Sequence, residues 1–202
     1  MSATEHWDRV AARYDAATAL LERHLLSRGR AWTVSRARGR VLEIGVGTGA
    51  NLRFYGSDVR LTAVDASSGM LDQASAKVGR GGPDGVELLV ADAGGLPFDD
   101  ASFDAVVSTY VLCCVPDLDR ALTEAVRVLR PGGDLLLADH VEATSWPLRL
   151  GQRALERVTV PAADEHFTRR PVRRLPVRAV EVVATQRHTF GVMEAVHGRR
   201  RS

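Results

Sequence analysis

Val41-Leu42-Glu43-Ile44-Gly45-Val46-Gly47-Thr48-Gly49-Ala50-Asn51 is the stretch on which the fold turns. A short apolar run ends in alternating glycines, the pattern of a strand that enters a tight turn before a helix. Glycines at such an exit let the backbone approach a ligand closely and leave N–H groups aimed at it, so a polar or anionic group is expected there. Gly45, Gly47 and Ala50 also satisfy the dinucleotide fingerprint G-x-G-x-x-G/A, and Asp65 lies 20 residues past Gly45, where an acid that holds ribose hydroxyls is expected. The run therefore points to a nucleotide-like ligand without choosing which one. Glu43 adds a constraint, because a carboxylate inside an apolar strand costs several kcal/mol unless donors or a positive group meet it.

Working outward, short β-branched runs recur at Arg40–Ile44, Val59–Val64, Val86–Val90, Phe103–Thr109 and Asp134–Ala138, with weaker ones at Val180–Thr185 and Gly191–Val196. Helical spacing fills most of the gaps. Leu20, Leu21, Leu25 and Leu26 predict one buried face on a helix from about 18 to 36; Met70, Leu71 and Ala74 mark a second; Leu118, Leu122, Val126 and Leu129 mark a third. Asp117 and Ser67 or Ser68 are cap residues, and Pro131-Gly132-Gly133 is expected to stop the third helix and turn the chain into the next strand. Residues 146–158 fit an amphipathic helix. Alternation of near-continuous apolar strands with helices means a parallel α/β sheet covered on both faces, whose ligands bind at the carboxyl ends of the strands.

The 202 residues carry 27 Lys plus Arg against 25 Asp plus Glu, and 45% are apolar, which suits one soluble domain with a core that needs no staples. Cys113 and Cys114 are adjacent and are the only cysteines, so a disulfide scaffold, a cysteine zinc site and an iron–sulfur protein are excluded. No metal-ligand spacing links His6, His24, His166, His188 and His197, and no metal site is expected. The first residues lack an apolar targeting segment and no run spans a bilayer, from which a cytoplasmic location is expected. Charge is uneven: residues 1–145 hold 15 basic and 20 acidic groups, residues 146–202 hold 12 and 5. The basic end ought to be a solvated face with a frayed Gly-Arg-Arg-Arg-Ser terminus; binding to an anionic lipid surface or an acidic substrate is the alternative that the same asymmetry leaves open. Nucleic acid is disfavoured, since Trp146, Phe167 and Phe190 are the only aromatics there.

Glu43-x-Gly45-x-Gly47-x-Gly49, Asp65, Asp92-Ala93, Leu96-Pro97-Phe98 with Ser102-Phe103-Asp104, and Arg127-Val128-Leu129-Arg130-Pro131-Gly132-Gly133 together resemble a class I S-adenosylmethionine-dependent methyltransferase. Within it, the chain is similar to the small-molecule and lipid branch that includes quinone, phosphatidylethanolamine and thiol methyltransferases; the likeness covers residues 5–142. The resemblance implies a Rossmann-like, seven-stranded, mostly parallel sheet with helices on both faces and the last strand antiparallel. It implies a single domain: 1–38 as N-terminal lid helices, 39–142 as the cofactor-binding core, and 143–202 as the substrate-side, sheet-closing segment. It also implies S-adenosyl-L-methionine as cofactor. Gly45, Gly47 and Gly49 would lie under its methionine and ribose parts, with Glu43 beneath the loop, oriented toward the amino group or a water. Asp65 would accept from the ribose hydroxyls with Ala66 beside it, Met70 would lie on the adenine face, Asp92 and Ala93 would meet its edge, and Thr109 would face the methionine end. Trp7-x-x-Val10-Ala11-x-x-Tyr14-Asp15 resembles the lid helix, with Tyr14 closing over the methionine moiety.

Methyl transfer from a sulfonium is an in-line displacement to which a protein contributes mainly by proximity and exclusion of water. A thiol acceptor needs little help, whereas an alcohol, phenol or carbon acid needs a base, for which His140 at the end of the fifth strand is the first choice. The Asn/Asp-Pro-Pro-aromatic signature of adenine-methylating DNA enzymes is missing, its place reading Ser108-Thr109-Tyr110-Val111. A small-molecule acceptor (lipid-like, quinone, phenol, amine or thiol) and a monomer or homodimer follow. Arg149, Arg153, Arg157, Arg169, Arg170, Arg173 and Arg174 form either a membrane-surface face or a solvated one. Two rivals remain: an NAD(P)-dependent oxidoreductase, which shares the glycine turn and Asp65, and a non-catalytic S-adenosylmethionine-binding protein.

Overall fold

A computed structural model describes residues 3–202. Seven strands, β1 Arg40–Ile44, β2 Arg60–Asp65, β3 Glu87–Val90, β4 Phe103–Thr109, β5 Leu129–His140, β6 Val180–His188 and β7 Met193–Arg200, form one sheet in the order β3-β2-β1-β4-β5-β7-β6. Pairing is parallel from β3 to β5, and β7 runs antiparallel to both β5 and β6. The order reverses between β1 and β4, so the crevice beyond their carboxyl ends is where a ligand of such a sheet sits.

Side-chain alternation along the central strands explains the two layers. Leu42, Ile44, Val106, Leu135 and Leu137 point to one face and pack with Ala121, Leu122, Ala125 and Val126 of α4 (Leu118–Val128). Val41, Ala105, Val107 and Leu136 point to the other and pack with Val34 of α2 (Ser27–Val34) and Leu71 and Ala74 of α3 (Ser68–Ser75). Both faces are therefore covered, as continuous apolar strands require. Asp117 caps α4 by accepting from the Arg120 N–H at 3.0 Å, and the Ser67 hydroxyl caps α3 by accepting from the Met70 N–H at 3.1 Å.

Three expectations are corrected. The leucines near residue 20 do not share a buried face: α1 (Ala3–Leu21) gives way to a π-helical turn at Glu22–Leu26 before α2, Leu20 and Leu21 are exposed, and only Leu26 of the four is buried. An extra residue in a turn rephases everything after it, which a 3.6-residue reading does not anticipate. Pro131-Gly132-Gly133 does not divide α4 from β5. The strand opens at Leu129, and its register with β4 jumps between Phe103 and Ala105, so the motif forms a bulge within the strand. The terminal Gly-Arg-Arg run is ordered: Gly198, Arg199 and Arg200 belong to β7, Arg199 pairs with Asp134 at 3.1 Å, and Arg200 donates to the carbonyls of Leu129 and Arg127.

Candidate active site

The glycine turn opens at the carboxyl end of β1. The N–H groups of Gly45 and Val46 donate to the Val64 carbonyl at 2.8 and 3.0 Å, joining the turn to β2. Gly45 has φ +72°, and a Cβ there would lie 2.3 Å from the Val111 side chain, so the position has neither the dihedral nor the room for another residue. Gly47 has φ +54° and nothing within 4 Å of its missing Cβ: it faces open space in the cavity. Gly49 packs instead on Leu52 and Ala74 and holds the turn against α3.

Asp65 ends β2. Its oxygens accept from the Gly47 N–H at 2.8 Å and the Ser67 N–H at 2.9 Å. Burial raises its pKa against these hydrogen bonds. Asp65, Ala66, Met70, Asp92 and Ala93 line one lobe of a cavity of about 1400 Å³. Met70 and Ala93 are buried, whereas Asp92 is exposed and accepts from the Gly94 N–H at 2.9 Å.

Glu43 lies behind the cavity wall. It is fully buried and accepts from the Asn51 side-chain amide at 2.7 Å and the Tyr55 hydroxyl at 2.8 Å. Asn51 also donates to the Thr109 hydroxyl at 2.8 Å and accepts from Arg30 at 3.2 Å. Arg30 in turn donates to Thr109 at 2.6 Å and to both oxygens of Glu22, at 3.1 and 3.0 Å. This network supplies the donors that a carboxylate in β1 demands. Burial still pushes the Glu43 pKa up to about 7, opposed by the bonds from Tyr55 and Asn51 and by the Arg30 charge. Arg30 and Thr109 present the front of the network to the cavity. Sequence reasoning missed Arg30, Glu22 and Asn51. Asn51 sat in the quoted run as a buried-donor signal, but Arg30 and Glu22 meet only because of the π-helical turn.

Helix α1 covers the cavity. Asp8 accepts from the Ser67 hydroxyl at 2.6 Å and the Gly69 N–H at 3.0 Å, and Asp15 accepts from the Thr48 hydroxyl at 2.5 Å and pairs with Lys77. Both acids thus fasten the helix to the glycine turn and to α3. Trp7, Val10 and Tyr14 line the cavity, with the rings of Trp7 and Tyr14 edge-to-face at 6.1 Å. Burial pushes the Tyr14 hydroxyl up to about 12, so it is a neutral donor.

At the far lobe, His140 ends β5, between the rings of Tyr110 at 5.4 Å and Phe167 at 5.1 Å. It is buried, its Nδ1 has no hydrogen-bond partner among the described residues, and burial, assisted by Arg30, lowers its pKa to about 4. Asp139 beside it caps the backbone N–H groups of His140 at 2.9 Å and Cys113 at 3.2 Å. Among the described residues, Cys113, His140 and Glu165 bring side-chain donor atoms within 4.8 Å of one another, a trio from three separate segments that no sequence spacing shows. Cys114, Gln152, Glu165, Phe167 and Met193 complete the wall.

The residues fit a nucleoside with a charged amino-acid tail. An acid whose two oxygens are fixed by backbone N–H groups sits beside the open Gly47 cradle, an apolar shelf lies to one side, and a cation with a hydroxyl lies to the other. A cavity of about 1400 Å³ also exceeds the roughly 300–1,000 Å³ of a single small-ligand site, leaving room for a second molecule.

Comparison with known proteins agrees. A family model described as a methyltransferase domain matches residues 42–137. The chain is 40% identical over 125 residues to phosphatidylethanolamine N-methyltransferase of Cereibacter sphaeroides, covering 61% of this chain and 62% of that protein. It is 34% identical over 141 residues to demethylmenaquinone methyltransferase of Clavibacter sepedonicus, covering 66% and 56%. The chain thus spans about three fifths of the length of these curated relatives. An S-adenosylmethionine-dependent methyltransferase of Thermotoga maritima, described as a possible histamine N-methyltransferase, shares the fold with a TM-score of 0.74 at 23% identity over 98% of this chain and 99% of that one. A dinucleotide-dependent oxidoreductase is not favoured by these matches. Over residues 42–137 the chain carries a methyltransferase domain, similar to those of S-adenosylmethionine-dependent enzymes.

Proposed function

We propose that this protein transfers a methyl group from S-adenosylmethionine to a small, lipid-like acceptor. The observation that carries the reading is one continuous cavity lined both by Asp65 and the glycine turn and by His140, Glu165 and Phe167. The cofactor supplies an electrophilic methyl group on a positively charged sulfur. Asp65 holds the ribose hydroxyls, Met70 and Ala93 form the adenine shelf, Gly45 and Gly47 give the backbone close approach, and Arg30 with Thr109 receives the charged methionine end. Glu43 acts through Asn51, fixing Arg30 and Thr109 rather than touching the cofactor itself.

Helix α1, with Trp7 and Tyr14, excludes water, so most of the rate gain comes from orientation, for which up to roughly 7–11 kcal/mol is accessible. His140, which lines the cavity and which burial keeps neutral at pH 7, is the group that takes a proton from the acceptor. A largely apolar far lobe, with rings from Tyr110 and Phe167, suits an acceptor with a hydrophobic body.

Calorimetric titration with S-adenosylmethionine, S-adenosylhomocysteine and NADH tests the cofactor assignment. Micromolar binding of the two sulfur nucleotides is expected. In Asp65→Ala it should weaken at least tenfold, since a charged hydrogen-bond acceptor is worth about 1.5–3 kcal/mol. Binding of NADH alone would overturn the reading.

A further inference from the structure

Helix α5 (Trp146–Ala163) is amphipathic in the wrong sense for a helix on a soluble protein. Its inward face is polar. Gln152 accepts from the Ala143 N–H at 2.8 Å and donates to the carbonyls of Val141 at 2.9 Å and Phe167 at 3.1 Å. Glu156 accepts from the Thr168 N–H at 2.7 Å and its hydroxyl at 2.9 Å. Its outward face is apolar: Trp146 is 68% exposed and Val158 68%, and Leu148, Leu150 and Leu155 are exposed as well.

A second element extends this patch. The Thr144 hydroxyl, just before α5, donates to the Phe190 carbonyl at 3.2 Å, so the turn at Thr189–Gly191 sits beside the start of the helix. Phe190 is 84% exposed, with φ +56°. The Arg187 guanidinium donates to the carbonyls of Gly191 at 2.5 Å and Glu142 at 2.6 Å and so holds the turn in place. An aromatic ring presented to water on a braced, left-handed turn is a costly arrangement for a surface without a partner.

Charge selects the occupant. Arg153 and Arg157 lie one turn apart along the edge of the apolar face and are exposed; Arg153 reaches Glu142 at 3.8 Å, and Glu156, the one acid of α5, points inward to Thr168. Three others of the arginine-rich stretch are spoken for within the fold: Arg169 donates to the Val115 carbonyl, Arg170 to Glu194 at 2.6 Å, and Arg174 pairs with Asp119. An apolar face with aromatic anchors and a basic edge is the make-up of a helix that lies in the headgroup region of an anionic bilayer. The same helix lines the cavity through Gln152 and Ala163.

We infer that the outer face of α5, together with Phe190, docks the protein on an anionic membrane surface. This deepens the proposed function by naming where a lipid-like acceptor comes from, and rests on that reading only for the direction of substrate entry. Docking therefore has to be measured apart from cofactor binding. The probes are vesicles of mixed phosphatidylglycerol and phosphatidylcholine and vesicles of phosphatidylcholine alone, in co-sedimentation at low and high salt.

The wild-type protein is expected to pellet with the anionic vesicles and less so at high salt. The double variant Arg153→Ser/Arg157→Ser should lose about fivefold in apparent affinity per arginine, the equivalent of about 1 kcal/mol each. The triple variant Trp146→Ser/Leu150→Ser/Phe190→Ser should stay in the supernatant while binding S-adenosylhomocysteine as the wild type does, which shows that it is folded. Failure of the wild type to pellet with anionic vesicles at low salt would overturn the inference, as would a triple variant that pellets unchanged. So would a wild-type dimer, in sedimentation velocity, that the triple substitution breaks, because the occupant would then be a second copy. Vesicle binding without S-adenosylhomocysteine binding would sink the methyltransfer reading and leave this one standing.

Discussion

At the scale of single residues, the site is built from ionisable groups held away from their usual protonation behaviour. His140 is buried with an unpartnered nitrogen, and its folded pKa of about 4 lies below the reference 6.5. Between those values the unfolded chain binds the extra proton, so this residue costs stability as pH falls from 6.5 toward 4. Phenylalanine fills the same space between Tyr110 and Phe167. His140→Phe is therefore expected to be more stable than wild type by about 2 kcal/mol at pH 5 and close to neutral at pH 8, which denaturant unfolding at the two pH values checks. Glu43 has the opposite sign: its folded pKa near 7 exceeds the reference 4.5, so its contribution is present below 4.5 and is lost as pH rises through 7. Removing it altogether is worse. Glu43→Ala leaves Tyr55 and Asn51 as buried donors without an acceptor, a loss on the order of 3 kcal/mol, whereas Glu43→Gln keeps an acceptor oxygen for one of them and should cost less. Thermal unfolding in the order wild type, Gln, Ala would bear this out, and an Ala variant as stable as Gln would refute it.

Among the elements, α1 is the one whose attachment the function uses. It is fastened mainly by polar contacts, through Asp8 to Ser67 and Gly69 and through Asp15 to Thr48 and Lys77, and both latches are solvent-accessible. Exposed ion pairs hold weakly, so the helix can open to admit ligand without unfolding the sheet. Asp15→Ala should speed amide exchange in α1, leave exchange in β1 and β4 unchanged, and weaken S-adenosylhomocysteine binding roughly two- to fivefold. Uniform acceleration across the sheet would mean that the latch supports the whole fold instead. The π-helical turn between α1 and α2 contributes differently: it sets the phase that brings Glu22 onto Arg30 and Arg30 onto Thr109.

For the whole molecule, the cavity lies between the strand ends and the α1 lid, so ligand binds the folded chain and not the unfolded one. S-adenosylhomocysteine at about a hundred times its dissociation constant should then add about 2.7 kcal/mol. For a chain of this size that is a rise of roughly 5–10 °C in Tm, read by differential scanning fluorimetry, and NADH should give none. The sheet order places this cavity at the β1/β4 reversal irrespective of what the later segments do.

How much was legible in the chain follows from the range of the forces involved. Local signals determined the alternation of strands and helices, the caps at Ser67 and Asp117, the glycine turn and the acid at the end of β2, because backbone dihedrals and apolar periodicity act within a few residues. Glu43 announced a buried network but not its members: a carboxylate in a strand shows that donors are needed, not where they come from. Arg30, Asn51, Thr109 and Tyr55 reach it from four segments, and a one-residue change of phase at Glu22–Leu26 decides whether Arg30 arrives at all. The terminal arginines read as a frayed tail until α4 and β5 gave them carbonyls and Asp134 to bond. Only the tertiary structure separated the arginines that hold the fold from the two that edge an exposed apolar helix, since composition counts charges and packing decides which of them remain on the surface.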